Sequence, residues 1–211
     1  MEVPRGNDRK ALVATYELFG TAIFLYMILV STGDQFAVPL ALYASILIFG
    51  GITGGHFNPA VTTGVWIHNR KYGADLPYAL LIIVSQLIGA CVGMIFAAFT
   101  LSAKIEGEWQ IPDHRVPILA PYGVDGTTYD KNDADGFTED WQTIFTQIMC
   151  TFIFVLVILM IKGMYTSKTS PSTDGALLAL AVVTVLGALI HVGHHAGASY
   201  NPAVTLGLQI F

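Results

Sequence analysis

Charge is what this sequence has least of. Only 12% of its 211 residues are Asp, Glu, Lys or Arg, while 54% are hydrophobic; a soluble domain carries about a quarter charged residues. The deficit falls in long apolar runs, which argues against an ordinary soluble core and for a lipid bilayer as solvent. Cysteine is almost missing too. Cys91 and Cys150 both lie inside apolar runs, read as small buried hydrophobes, and say nothing about redox compartment. The basic residues form no stripe, so no nucleic-acid partner is expected. Residues 1–10 are polar and run directly into the first apolar stretch, without the short apolar core and small-residue site of a cleavable signal peptide. There is no nucleophile–base set, no pair of acids and no phosphate loop, so neither enzyme chemistry nor a cofactor or resident metal is expected.

What is abundant is apolar length. Five stretches, about 11–31, 36–52, 77–102, 141–161 and 175–192, are long enough to cross about 30 Å of hydrocarbon. Gly33-Asp34-Gln35 reads as a tight polar turn between the first two. Tyr78, Trp109, Trp141 and Tyr165 fall near span ends, where amphipathic rings favour the interface. Gly89 and Gly93, four apart in the third span, would let another helix approach closely. Arg5, Arg9, Lys10, Arg70, Lys71, Lys162 and Lys168 share one side of the membrane if the spans alternate, and that side is expected to be cytoplasmic. The opposite side receives Asp34 and the polar stretch 103–140, which holds most of the acids and reads as an irregular surface loop. Within it, Asp130, Asp133 and Asp135 do not match the spacing of a helix–loop–helix calcium site and read as solvated.

One motif occurs twice. Gly54-Gly55-His56-Phe57-Asn58-Pro59-Ala60-Val61-Thr62-Thr63-Gly64 and Gly197-Ala198-Ser199-Tyr200-Asn201-Pro202-Ala203-Val204-Thr205-Leu206-Gly207 share glycine, two variable residues, an aromatic, Asn-Pro-Ala-Val-Thr, one variable residue and glycine. Proline is tolerated in the first turn of a helix and asparagine is a preferred N-cap, so Asn58 and Asn201 each start a helix. The apolar run after each is about ten residues, half a membrane thickness. Helices that begin inside a membrane require their free backbone groups to be buried in protein or to line water. With three spans per half, the two halves insert in opposite senses, an arrangement that points to a transport site at the midplane. Two helix N-termini meeting there, each with about half a positive charge, would repel cations and donate hydrogen bonds to a passing oxygen. Each asparagine amide would cap with one group and offer an N–H to the pore.

The same residues resemble the aquaporin and glycerol-channel (major intrinsic protein) family over nearly the whole chain. Tyr16-Glu17-Leu18-Phe19-Gly20-Thr21 is similar to its first-helix pattern, Gly55 to Thr62 to its first pore loop, and Gln86-x-x-Gly89-Ala90 to its third helix. The resemblance implies an all-α membrane protein with an inverted repeat: a single domain with a first half at 11–102, a polar loop at 103–140 and a second half at 141–211. It implies pore motifs at Asn58, Pro59, Ala60, Asn201, Pro202 and Ala203, and His56 lining the path. Glu17 would accept hydrogen bonds from a pore-loop backbone. Its counterpart is Gln147, which departs from the usual glutamate but keeps an acceptor oxygen. Relatives assemble as homotetramers in the lipid bilayer, and the same is expected here.

Two departures bear on the solute. The family places an arginine directly after the second Asn-Pro-Ala; here that position is Val204, and counting back puts the rest of the selectivity constriction at Val38, Leu189 and Ala198. With no polar donor among these side chains, the constriction suits either a less selective path for small neutral solutes or a dewetted, closed pore. The family also has a sixth full span after the second half-helix, whereas this sequence stops at Phe211, which is read as a fragment rather than a true truncation. His191, His194 and His195 are read as lining or supporting the second loop, ahead of a pH-sensitive gate or a zinc site through the i,i+4 pair His191 and His195. The expected function is passive passage of water or small uncharged solutes such as glycerol. The alternative is a non-conducting structural subunit of a larger membrane complex.

Overall fold

In the computed structural model of the chain, the described residues are 7–32, 34–105, 108–112, 140–166, 175–193 and 196–211. They form α1 (Asn7–Val30), α2 (Ala37–Thr53), α3 (Pro59–Asn69), α4 (Tyr72–Leu101), β1 (Ala103–Ile105), β2 (Glu108–Gln110), α5 (Asp140–Thr166), α6 (Gly175–Val192) and α7 (Pro202–Ile210). By length and apolarity, α1, α4, α5 and α6 can each cross a membrane, and α2 is a shorter apolar helix of 17 residues. The protein is an integral, multi-pass, all-α membrane protein with two half-length helices, α3 and α7.

The helix starts follow from local chemistry. Asp34 Oδ1 accepts from the backbone N–H groups of Phe36 (2.9 Å) and Ala37 (2.8 Å), which satisfies donors that α2 would otherwise leave open. Asn58 and Asn201 stand in extended conformation directly before Pro59 and Pro202, so α3 and α7 begin with an asparagine cap and a proline in the first turn. The third span starts at Tyr72, five residues before the expected Pro77. Pro77 is the sixth residue of α4, inside the helix, and leaves Gly73 O without its usual N–H partner, while Asp75 in the first turn lies favourably at the positive end of the helix dipole. The stretch expected to be wholly irregular begins with a short antiparallel hairpin, with Ala103 opposite Gln110 and Ile105 opposite Glu108. Asp125, Asp130, Asp133, Asp135 and Glu139 lie outside the described residues, as do His194 and His195.

α1 packs against α4 and α2, α5 against α6, and α2 against α6; α3 is held by α4 and α5, and α7 by α4 and α1. Gly89 and Gly93 explain the closeness of α4 to α1: a methyl group on either would sit 2.3 Å from the carbonyl oxygen of Leu18 or Ala22. Similar pairings seat the half-helices, since a methyl at Gly64 would lie 2.4 Å from Val155 Cγ1 and one at Gly207 would lie 2.2 Å from Leu25 Cδ2. The core these contacts enclose includes Leu25, Ile28, Leu29, Phe57, Val61, Phe154, Tyr200 and Ala203.

Candidate functional site

The two motif loops are built on one backbone plan. Gly54 (φ 89°), Gly55 (φ 65°) and Phe57 (φ 45°) precede Asn58; Gly197 (φ 79°), Ala198 (φ 43°) and Tyr200 (φ 45°) precede Asn201. Positive φ at an aromatic residue is costly, on the order of 1–3 kcal/mol, and persists only where the surroundings impose it. For Phe57 the surroundings are visible. Its ring is fully buried and fills the space over Gly20, where a methyl group would fall 2.1 Å from Phe57 Cε1.

The first loop is gripped through Glu17, which is fully buried in the middle of α1. Glu17 Oε1 accepts from His56 N (3.0 Å), and Oε2 accepts from Phe57 N (2.7 Å) and from Gln86 Nε2 (2.8 Å). Gln86 Nε2 also donates to Thr62 Oγ1 at 2.9 Å, and Thr62 Oγ1 meets His56 Nδ1 at 3.1 Å. Helices α1 and α4, the loop and the first turn of α3 are thereby tied together. Gln86 Oε1 is buried with no hydrogen-bond partner among the described residues. That orphan shows which way the amide is needed: its nitrogen serves the carboxylate and the threonine, and the oxygen is left over.

The second loop is held differently. Gln147 on α5 stands where Glu17 stands on α1, but it donates, from Nε2 to the carbonyl of Ala196. The expectation that Gln147 serves through an acceptor oxygen does not hold for this bond, because a neutral amide can turn its N–H toward a carbonyl and a carboxylate cannot. Tyr200 supplies a second anchor: its hydroxyl donates to Leu189 O at 2.8 Å, pinning the loop to the end of α6. Ser199 Oγ and Thr205 Oγ1 lie 2.6 Å apart, the same six-residue spacing as His56 and Thr62.

The loops meet at the asparagines. Asn58 Oδ1 accepts from Ala60 N (2.8 Å) and Asn201 Oδ1 from Ala203 N (3.0 Å), capping α3 and α7. Asn58 Nδ2 then donates to Tyr200 O at 2.9 Å, and Asn201 Nδ2 donates to Phe57 O at 2.8 Å. Each side chain caps its own helix and ties down the opposite loop. An amide nitrogen carries two hydrogens, so each asparagine has one N–H beyond this bond.

Both asparagines border a cavity whose wall also includes His56, Ser199, Val38, Ala198 and Val204, with Phe24 and Ile28 from α1, Leu42 from α2, Phe154 from α5, and Leu186 and Ile190 from α6. Leu189, counted into the constriction from sequence, does not line it. Leu189 is buried in the core, and its neighbour Ile190, one turn beyond Leu186, takes the lining position. One residue of helix is about 100° of rotation, which is enough to exchange the two. Glu17 and Gln147 support the loops without bordering the cavity. His191 is exposed at the end of α6, with Nδ1 3.4 Å from Gln35 Oε1. Sequence reasoning missed Thr62, Tyr200 and Ile190 as parts of this site; a hydroxyl inside each repeated motif was the available signal for the first two.

A family model described as Major intrinsic protein matches residues 32–211. The chain is 30% identical over 203 residues to the glycerol uptake facilitator protein-like 6 of Lactiplantibacillus plantarum, covering 92% of this chain and 82% of that protein. It is 30% identical over 183 residues to aquaporin AqpM of Methanothermobacter marburgensis, covering 83% of this chain and 62% of that one. With aquaporin Z of Photorhabdus laumondii it shares 31% identity over 187 residues, 85% of this chain and 69% of that one. The chain thus spans less than two thirds of the length of one of these relatives.

Proposed function

The chain belongs to the major intrinsic protein family, and on that premise we propose that it is a passive membrane channel for water and small uncharged solutes such as glycerol, working as a homotetramer. The observation that carries the reading is the reciprocal pair of hydrogen bonds from Asn58 to Tyr200 O and from Asn201 to Phe57 O, set between two half-helix N-termini. The pair holds both helix ends at one place beside the cavity, which supports taking that place as the pore midplane. There the positive ends disfavour cations, and the remaining amide N–H groups receive the oxygen of a passing solute.

Val38, Ala198 and Val204, with Ile190 in place of Leu189, form the selectivity region, and Glu17, His56 and Gln147 hold the loops that carry it. Passage needs no group that makes or breaks covalent bonds. The relatives' names, aquaporins and a glycerol uptake facilitator, do not favour the non-conducting subunit.

The test is stopped-flow light scattering on proteoliposomes under water and then glycerol gradients. Faster volume change than in protein-free liposomes is the expected result. Folded protein that adds no flux of water or of any small solute sinks the channel reading.

A further inference from the structure

The cavity wall is divided by chemistry. Among the described residues, its side-chain hydrogen-bonding groups come from the two loops, at His56, Asn58, Ser199 and Asn201, and the other lining side chains are hydrocarbon. Much of the loops' capacity is already used inside the protein. His56 Nδ1 is engaged with Thr62 Oγ1, Ser199 Oγ with Thr205 Oγ1, and each asparagine spends its oxygen on a cap and one N–H on the opposite loop. Val204, directly after the second Asn-Pro-Ala, adds only methyl groups and is itself 2% exposed.

A solute that enters gives up its bonds to water. Polar groups that meet one of these loop side chains recover part of that loss, and a polar group turned toward Val204, Ala198 or Val38 faces hydrocarbon side chains and recovers little from them. A methyl group in the same place loses nothing. We propose that, within the channel reading on which this inference rests, the pore favours small neutral solutes that carry methyl groups over solutes of the same size in which hydroxyl or amino groups replace them. The substrate class is compact mono-amides and methyl-bearing diols, and Val204 with Ala198 and Val38 is the surface that sets the preference. Each additional unmatched polar group lowers flux by about tenfold, the size expected for a buried group left without a partner.

Two pairs of solutes with matched skeletons test this in proteoliposomes of the full chain, with the flux of protein-free vesicles subtracted: acetamide against urea, and 1,2-butanediol against glycerol. Protein-dependent flux about tenfold higher for acetamide and for the butanediol is the expected result. Val204→Thr keeps the side-chain shape, adds a hydroxyl and draws both ratios toward one. Ala198→Ser does the same at a second lining position and carries the test if the first variant does not assemble. Urea and glycerol passing as fast as their methyl-bearing partners overturns the inference and leaves the channel reading standing. Flux of neither water nor any of the four solutes overturns both. Ratios unmoved in assembled Val204→Thr and Ala198→Ser overturn the assignment to this wall.

Discussion

Asn58 and Asn201 hold each other's loops: the amide of each donates to the carbonyl of the residue just before the other, at 2.9 and 2.8 Å. Because the same side chains cap α3 and α7, cap and cross-link can be separated by chemistry. Asn58→Asp keeps an oxygen for Ala60 N but faces Tyr200 O with a second acceptor. Asn58→Ala loses both bonds, at a cost of about 2–3 kcal/mol. Thermal unfolding in detergent is expected to show both variants less stable than wild type. An unchanged midpoint for Asn58→Asp would show that the cross-link contributes nothing.

Glu17→Gln tests the grip on the first loop. The carboxylate accepts from His56 N, Phe57 N and Gln86 Nε2. An amide has only one oxygen, so its NH2 must face one of these donors. A loss of about 2–4 kcal/mol follows. A double-mutant cycle with Gln86→Leu is expected to show coupling of about 1 kcal/mol or more, since the two side chains share a bond. Additive effects would contradict the network.

The contact between α1 and α4 depends on two missing side chains. Gly93→Ala puts a methyl 2.3 Å from Ala22 O, whereas the same change at Gly51 in α2 meets nothing within 4 Å. Gly93→Ala is expected to destabilise by about 1–3 kcal/mol. Gly51→Ala is expected to be neutral or stabilising, by up to about 1 kcal/mol, because alanine is the better helix former. Unfolding midpoints measured side by side decide it.

Tyr200 and Gly193 form a coupled pair. A methyl at Gly193 would lie 1.8 Å from the Tyr200 hydroxyl but 3.1 Å from Cζ. Tyr200→Phe removes the bond to Leu189 O and is expected to cost about 1–2 kcal/mol. In that background Gly193→Ala is expected to cost less than in wild type, an interaction readable from the four unfolding midpoints. Equal costs in the two backgrounds would place the clash elsewhere.

Much of the fold is legible in local sequence. Lack of charge and the length of the apolar runs pointed to the membrane-spanning helices; the third begins five residues early, with Asp75 in its first turn and Pro77 carried inside it. The half-helices could be read because asparagine followed by proline is a local capping signal that needs no tertiary partner. The motif's repetition announced the paired loops.

Facing and partners were not legible in the same way. In helices apolar on nearly all sides, the usual contrast between a wet and a buried face is weak, so sequence does not say which residue of α6 turns inward. The choice between Leu189 and Ile190 fell to packing. So did the donor role of Gln147 and the crossed bonds of the asparagines, which depend on left-handed backbone at Phe57 and Tyr200. Sequence alone determined that two capped half-helices exist inside a membrane protein, because capping and hydrophobic length are local properties. Only the tertiary structure decided which side chains border the cavity and which carbonyl each amide reaches, because those follow from helix rotation and loop conformation set by distant contacts.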